Sequence, residues 1–382
     1  MTSPKTPTIH WLGTGLSSVP GLRKLAQQGT ALKVWNRTPD KAQEALRGLM
    51  RPEVSVHPFQ LSELAKHLET GDIVVSMLPA SWHPEVAQLC LKHQSHLVTA
   101  SYLSPEMQAF HQTALEQGLC FVNEMGLDPG LDHFLAYEAV EQLQQTPFWT
   151  DPDSQLEFNS LCGGLSEIPN DFRYRFSWSP VGVLKALKNA AVFVKEAEIQ
   201  STHKAWTQVE NVHIASETFE AYPNRDSVPF IKEYGLDQGA FKLDTFVRGT
   251  LRLQGWKEAW SPIFQQVESA SDESLAKLSE SLWEHHAMPA HENDRVVLFV
   301  SLSAASPHRP RWESSALIDL VGNEKGSAMA RLVSLPIAYI VPQILDCKIP
   351  PGVSGAPKAT AFREGLFADL ETEGIKLSRK IS

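Results

Sequence analysis

The residues Gly13-Thr14-Gly15-Leu16-Ser17-Ser18 stand between a short apolar run, Thr8 to Leu12, and an amphipathic stretch, Pro20 to Gln28. That stretch carries Leu22, Leu25 and Ala26 on one face and stops at Gly29. A strand, a glycine turn and a helix in that order aim free backbone N–H groups and the positive helix end at a pyrophosphate. Gly13 permits the tight turn, and Gly15 lets a phosphate approach the backbone. Ser18 takes the place of the third glycine of the dinucleotide fingerprint, so the six residues alone weigh evenly against an ordinary surface turn. Their setting decides for the phosphate loop, because a second strand, Ala31 to Trp35, ends about 20 residues further on. At that strand end, Trp35-Asn36-Arg37-Thr38 offers no carboxylate to a ribose hydroxyl. Arg37 favours a 2′-phosphate, hence NADP(H), with NAD the less favoured cofactor.

Outward from this unit the alternation continues, with apolar runs at Asp72 to Leu78, His96 to Ala100 and Leu119 to Asn123. Ser104-Pro105-Glu106 places an N-cap and a first-turn proline ahead of Met107, Phe110, Ala114 and Leu115, predicting one helix that closes at Gly118. Strands alternating with helices predict an α/β fold with a doubly wound parallel Rossmann sheet. Past Glu124 aromatic residues thicken and a second domain begins near residue 130. Strands are expected at Leu156 to Leu161, Arg173 to Trp178 and Arg295 to Leu302. Helices are expected at Asp272 to His286 and Ala328 to Ile344, the latter followed by a loop from Pro350 to Pro357.

A length of 382 residues predicts two domains or slightly more, and 42% hydrophobic with 20% charged residues is ordinary for a globular chain. The net charge of -10 argues against nucleic acid or an anionic membrane as partner. Cys90, Cys120, Cys162 and Cys347 lie far apart, which indicates neither a zinc site nor a disulfide framework and suits the reducing cytoplasm. The opening MTSPKTPTIHWLG lacks a signal-peptide pattern and no run approaches 18 apolar residues, so a soluble protein is expected. His285-His286 with His291-Glu292 lacks the spacing of a helical metal pair, and no metal is expected.

The stretch Asn123-Glu124-Met125-Gly126-Leu127-Asp128-Pro129-Gly130-Leu131-Asp132-His133 resembles saccharopine dehydrogenases of the glutamate-forming type, also called saccharopine reductases. Ser76-Met77-Leu78-Pro79, Ser101-Tyr102-Leu103-Ser104-Pro105, Cys162-Gly163-Gly164-Leu165 and Phe176-Ser177-Trp178-Ser179 agree in order. So do Tyr222 to Ser227, Val247 to Gly255 and Gly326 to Ala330. The likeness is strong to Gly255 and thin from Trp256 to Glu324, and Pro180 after Ser179 departs from it. It implies a Rossmann domain over 1–128, an inserted α/β domain with a mixed sheet that forms a homodimer over 129–324, and a small helical C-terminal part over 325–382 that returns to the Rossmann domain. It further implies that 2-aminoadipate 6-semialdehyde and glutamate condense to an imine that NADPH reduces to saccharopine, or the reverse oxidation. A related imine reductase acting on a polyamine, and a dinucleotide sensor without chemistry, are the competing readings.

Carried over by resemblance, Leu16 to Val19, Arg37, Thr38, Leu78, Pro79, Ala100, Ser101, Asp128, Pro129 and Gly130 lie near the cofactor, with Gly13 and Gly15. Tyr102, Leu103, Arg225, Arg248, Thr250, Leu251 and Arg252 line the substrate site. Saccharopine has three carboxylates, and guanidinium forks suit them, whereas a polyamine pocket would need carboxylates in their place. Asp128, Cys162 and Tyr102 are the candidates for moving protons at the imine nitrogen, with positioning preferred over a single dominant acid or base. Each also has a structural alternative: a turn start, a packed thiol and an interdomain hydrogen bond.

Overall fold

The computed structural model describes residues 7–178, 180–289 and 291–382; the opening six residues, Ser179 and Ala290 lie outside the described residues. The chain forms two compact units. Unit one runs to Leu131 and takes in Glu324–Gly326 and Ala330–Glu373, and unit two comprises Asp132–Asn323, Ser327–Met329 and Gly374–Ser382. The expected return of the whole segment 325–382 to the first domain is therefore corrected at its end, since Ser378–Ile381 pairs in the sheet of unit two.

Unit one holds strands β1 (Ile9–Leu12), β2 (Leu32–Asn36), β3 (Val54–Pro58), β4 (Ile73–Ser76), β5 (His96–Thr99) and β6 (Cys120–Val122). With Gly352–Ser354 they form one sheet in the order Gly352–Ser354, β6, β5, β4, β1, β2, β3, parallel throughout. β1 and β4 are buried along their whole length, as strands covered on both faces must be. The strand order reverses between β1 and β4, where doubly wound sheets bind ligands beyond their carboxyl ends. The expected loop over 350–357 thus contains the seventh strand, a pairing that no local pattern signals. The single helix expected to Gly118 is two, Pro105–Gln108 and His111–Glu116, parted where Phe110 turns toward the core.

The helix Ala328–Leu345 is long and apolar enough to cross a membrane by length and composition, a run that composition alone did not bring out. It is 67% buried inside the protein, with Leu332, Ile337 and Ile340 wholly enclosed. It presses on the helix Val19–Gln27 at Gly21, whose N–H donates to Ser334 Oγ (2.8 Å) and where a side chain would strike the Ser334 backbone.

Unit two is built on β7 (Gln155–Ser166), β8 (Ala191–Lys195), β9 (Glu198–Thr202), β10 (Glu210–Ile214), β11 (Glu217–Pro223), β12 (Lys242–Leu253), β13 (Asp294–Ser306) and β14 (Arg309–Val321). The order β10-β11-β12-β7-β13-β14 continues into Ser378–Ile381, with β8 and β9 paired beside β12. β12 and β7 are parallel and the other ladders antiparallel, so the sheet is mixed. Arg173 to Trp178 does not form the expected strand. It makes one isolated bridge, Phe176 to Ala287, because Tyr174 and Phe176 turn their rings into an aromatic core with Trp256, Trp260 and Phe264. The helices Pro180–Lys188, Ser261–Ser269 and Asp272–His286 enclose that core.

Candidate functional site

The turn after β1 begins at Gly13, whose φ of 94° suits glycine and whose N–H donates to Trp35 O (2.8 Å). A Cβ there would stand 3.3 Å from Met77 O and 3.5 Å from Leu78 Cδ2, so this turn and the one after β4 run side by side. Ser18 is enclosed; its hydroxyl donates to Gly13 O (2.8 Å) and accepts from Trp11 Nε1 (2.8 Å). A serine thus replaces the third glycine by stitching the turn closed. Gly15 faces open space, and the N–H groups of Gly15, Leu16 and Ser17 have no acceptor among the described residues. The buried Thr14 Oγ1 lacks a partner as well. This cradle of unused donors at the start of Val19–Gln27 fits a pyrophosphate. Arg37 and Thr38 are exposed just past β2, with no acidic side chain between the end of β2 and Pro39.

Next to this cradle, the segments after β5 and β6 interlock. Tyr102 OH donates to Asp128 Oδ1 (2.7 Å), Leu103 N–H to Glu124 Oε1 (3.0 Å) and Glu124 N–H to Ser101 O (3.0 Å). Asp128 to Leu131 forms a tight loop closed by Gly126 N–H to Pro129 O and Leu131 N–H to Gly126 O, both 3.0 Å. Its Asp128–Pro129 bond is cis. Gly130, at φ 145°, lies so close to the Gly126 backbone that no Cβ fits. A Cβ on Gly126 would approach Ala100 Cβ to 3.0 Å. Ala100, Ser101, Tyr102, Leu103, Asp128, Pro129 and Gly130 are therefore brought together.

Two residues of this edge escaped sequence reasoning. Glu124 is buried with φ 60° and anchors Leu103. His83, enclosed at the start of the helix His83–His93, bonds Ser76 Oγ (3.2 Å), Thr99 Oγ1 (2.9 Å) and Ser101 Oγ (2.9 Å). Burial holds its imidazole down to about 4, so it is neutral at physiological pH. The only signal was its adjacency to the Ser76-to-Pro79 motif.

In unit two, Tyr222, Thr250 and Cys162 are register neighbours across β11, β12 and β7, so they share a face of the sheet. Arg248 and Arg252, two residues either side of Thr250, share it too. Leu251, expected at the substrate site, projects its side chain to the other face, wholly buried among Leu161, Phe219 and Val297, so only its backbone adjoins the face of Thr250. Arg252 donates to Leu251 O (3.0 Å) and Tyr222 OH (2.9 Å), and its guanidinium lies over the rings of Tyr174, Tyr222 and Trp256 at 5.1–5.5 Å. It is 5% exposed and has no carboxylate partner among the described residues; its Nε and the buried Trp256 Nε1 lack acceptors. Burial pushes the Tyr222 phenol up and keeps it protonated, against the pull of Arg252. Arg248 instead pairs with Asp132 at 2.5 Å, both buried. Arg225 is exposed at φ 58°, its carbonyl accepting from Val192 N–H (2.8 Å). His286 stacks on Phe172 and Glu292 faces Arg175 (3.5 Å); no group of metal-ligating side chains occurs among the described residues.

Two family models match the chain: the saccharopine dehydrogenase NADP binding domain over residues 9–122 and the saccharopine dehydrogenase C-terminal domain over 126–375. A saccharopine dehydrogenase (NADP+, L-glutamate-forming) of Pyricularia oryzae is 32% identical over 319 residues, 78% of this chain and 67% of that protein. The enzyme of the same name from Schizosaccharomyces pombe is 26% identical over 98% of this chain and 99% of its own length. The apo structure of L-glutamate-forming saccharopine dehydrogenase from Saccharomyces cerevisiae superposes with a TM-score of 0.81 at 24% identity, covering 98% of this chain and all of that one. A homospermidine synthase from Legionella pneumophila shares the fold alone, with a TM-score of 0.66 at 11% identity, over 99% of this chain and 92% of that one.

Proposed function

This chain belongs to the saccharopine dehydrogenase family, and on that premise we propose that it is an NADP-dependent oxidoreductase of the CH–NH bond in lysine metabolism. Its reaction joins 2-aminoadipate 6-semialdehyde to the amino group of L-glutamate, or runs in reverse. NADPH, when bound, supplies the hydride. The donors of Gly15 to Ser17 hold its pyrophosphate, and Arg37 meets the 2′-phosphate. Tyr102 donates its O–H hydrogen bond to Asp128, which fixes the phenol beside that carboxylate where it orients the substrate amine. Asp128 can exchange a proton with the nitrogen as its charge changes.

The observation that carries an amino-acid substrate is Arg252. A buried guanidinium held by aromatic faces, with no carboxylate partner among the described residues, suits a carboxylate from outside. A polyamine would meet a cation there. The test follows NADPH oxidation with the semialdehyde and a panel of amines. Turnover with glutamate and none with diamines is expected, and turnover with diamines alone would overturn the proposal.

The proposal extends to a cytoplasmic homodimer. Four free thiols suit a reducing compartment. The partly buried Val212, Phe299 and Leu317 pack, among the described residues, against a hydrophobic cluster made of strand residues of the unit-two sheet. Sedimentation at the monomer mass would exclude the dimer.

A further inference from the structure

Apart from the dinucleotide turn, the cofactor-side wall of unit one is made by two chain segments that leave adjacent parallel strands, Met77 to Pro79 after β4 and Ala100 to Leu103 after β5. Both lie beyond the last ladder pairs of their strands, where backbone hydrogen bonding no longer sets their separation. One side chain ties the last ladder pair, Ser76 and Thr99, to the second segment. Nδ1 of His83 meets Ser76 Oγ at 3.2 Å, and Nε2 meets Thr99 Oγ1 and Ser101 Oγ, each at 2.9 Å. Thr99 Oγ1 also accepts from Ser101 N–H (3.1 Å), which fixes the turn on which Tyr102 follows.

The geometry points to His83 as the positioning residue that ties the turn after β5 to the ends of β4 and β5 and, through Ser101, places the Tyr102–Asp128 pair against the nicotinamide half of the bound dinucleotide. His83 is 2% exposed and its three partners are hydroxyls that lead to no carboxylate among the described residues. It therefore holds geometry and does not deliver protons. A neutral ring, with one nitrogen donating and one accepting, suits three hydroxyls that can rotate to match it. Burial keeps it in that state. The pyrophosphate and 2′-phosphate of the cofactor are held elsewhere, by the Gly13-to-Ser18 turn and Arg37, so loss of the ring acts on the reacting geometry and leaves overall cofactor affinity in place.

The inference rests on the reading of unit one as an NADP site, and the experiment separates the two. NADPH affinity is measured by fluorescence on the full-length wild type, His83→Ala and His83→Gln, together with steady-state kcat and KM for the semialdehyde with glutamate. His83→Ala is expected to lower kcat by at least about tenfold while the NADPH dissociation constant moves less than about threefold. His83→Gln, whose amide offers a donor and an acceptor, is expected to recover kcat to within about threefold of wild type. Wild type that fails to bind NADPH would refute the cofactor site itself. Wild type that binds NADPH, with kcat unchanged in His83→Ala, overturns the positioning role. So does a parallel fall of kcat and NADPH affinity in both variants, which marks His83 as structural only.

Discussion

Arg248 and Asp132 form an ion pair at 2.5 Å with side chains 5% and 0% exposed, and the Arg248 guanidinium lies 4.0 Å over the Phe230 ring. Arg248→Met preserves much of the stem and removes the charge, leaving the wholly buried Asp132 carboxylate without the guanidinium and with His133 Nδ1 at 3.8 Å. Breaking one side of a buried pair costs about 3–5 kcal/mol, because the remaining ion keeps its desolvation penalty without its partner. For a unit of this size each kcal/mol lowers the melting temperature by about 2–4 °C, so a fall of about 6–20 °C is expected. Circular dichroism melts at neutral pH read it, and Asp132→Leu combined with Arg248→Met should recover most of the loss, since no orphaned charge remains. If Arg248→Met melts with the wild type while KM for the amino acid rises about tenfold, the guanidinium serves substrate and the argument from the ion pair fails.

Other outcomes follow from the same structure. Arg37→Ala should raise KM for NADPH by about tenfold or more and leave NADH unaffected; equal effects on both would remove Arg37 from the 2′-phosphate. Gly130→Ala forces a side chain into the Gly126 backbone at φ 145° and should cost at least about 1–3 kcal/mol of stability and disturb Asp128, read by urea unfolding and kcat. A stable, fully active Gly130→Ala would show that the loop relaxes without consequence. The depressed His83 predicts acid sensitivity. The unfolded chain takes up a proton below its ordinary 6.5, whereas the folded one waits until about 4. Stability is thus complete above 6.5 and falls as pH drops through that window, by roughly 3 kcal/mol in total. Urea midpoints across this range should slope less in His83→Gln, and an unchanged slope would assign the acid sensitivity to other groups.

The parallel sheet was legible at five of its seven strands, which are short apolar runs, while Val54–Pro58 and Gly352–Ser354 escaped. What escaped the sequence is what depends on distant partners. Gly352–Ser354 is three residues long and is a strand only because β6 offers it a free edge. Tyr174 and Phe176 alternate with polar residues as a strand would, yet the surrounding tryptophans draw both rings into a core. In the site, motif resemblance gathered Tyr102 and Asp128 correctly into one neighbourhood, but it could not tell which arginine is already engaged. Leu251 stands inside a motif and still faces away, since alternation along β12 sends it to the opposite side from Thr250 and Arg252. His83 and Glu124 act through hydrogen bonds to residues about 20 positions away, for which a single sequence carries no mark.

Arg252 and Arg248 lie four residues apart on the same face of one strand, and substitution should affect them in opposite ways. Arg248 neutralises a buried carboxylate. Arg252 is a cation buried against Tyr174, Tyr222 and Trp256 with no paired anion among the described residues, so the folded protein bears its desolvation without full compensation until an anionic ligand arrives. Arg252→Met therefore leaves no orphaned charge, and its melting temperature should stay within a few degrees of wild type or rise. Its KM for glutamate should climb by about tenfold or more, each tenfold being about 1.4 kcal/mol of lost carboxylate binding. NADPH affinity should not change. Arg252→Lys keeps the charge without the planar fork and should recover only part of the loss. If Arg252→Met unfolds as readily as Arg248→Met and binds glutamate normally, Arg252 is a structural cation and the assignment of an amino-acid substrate loses the residue that carries it.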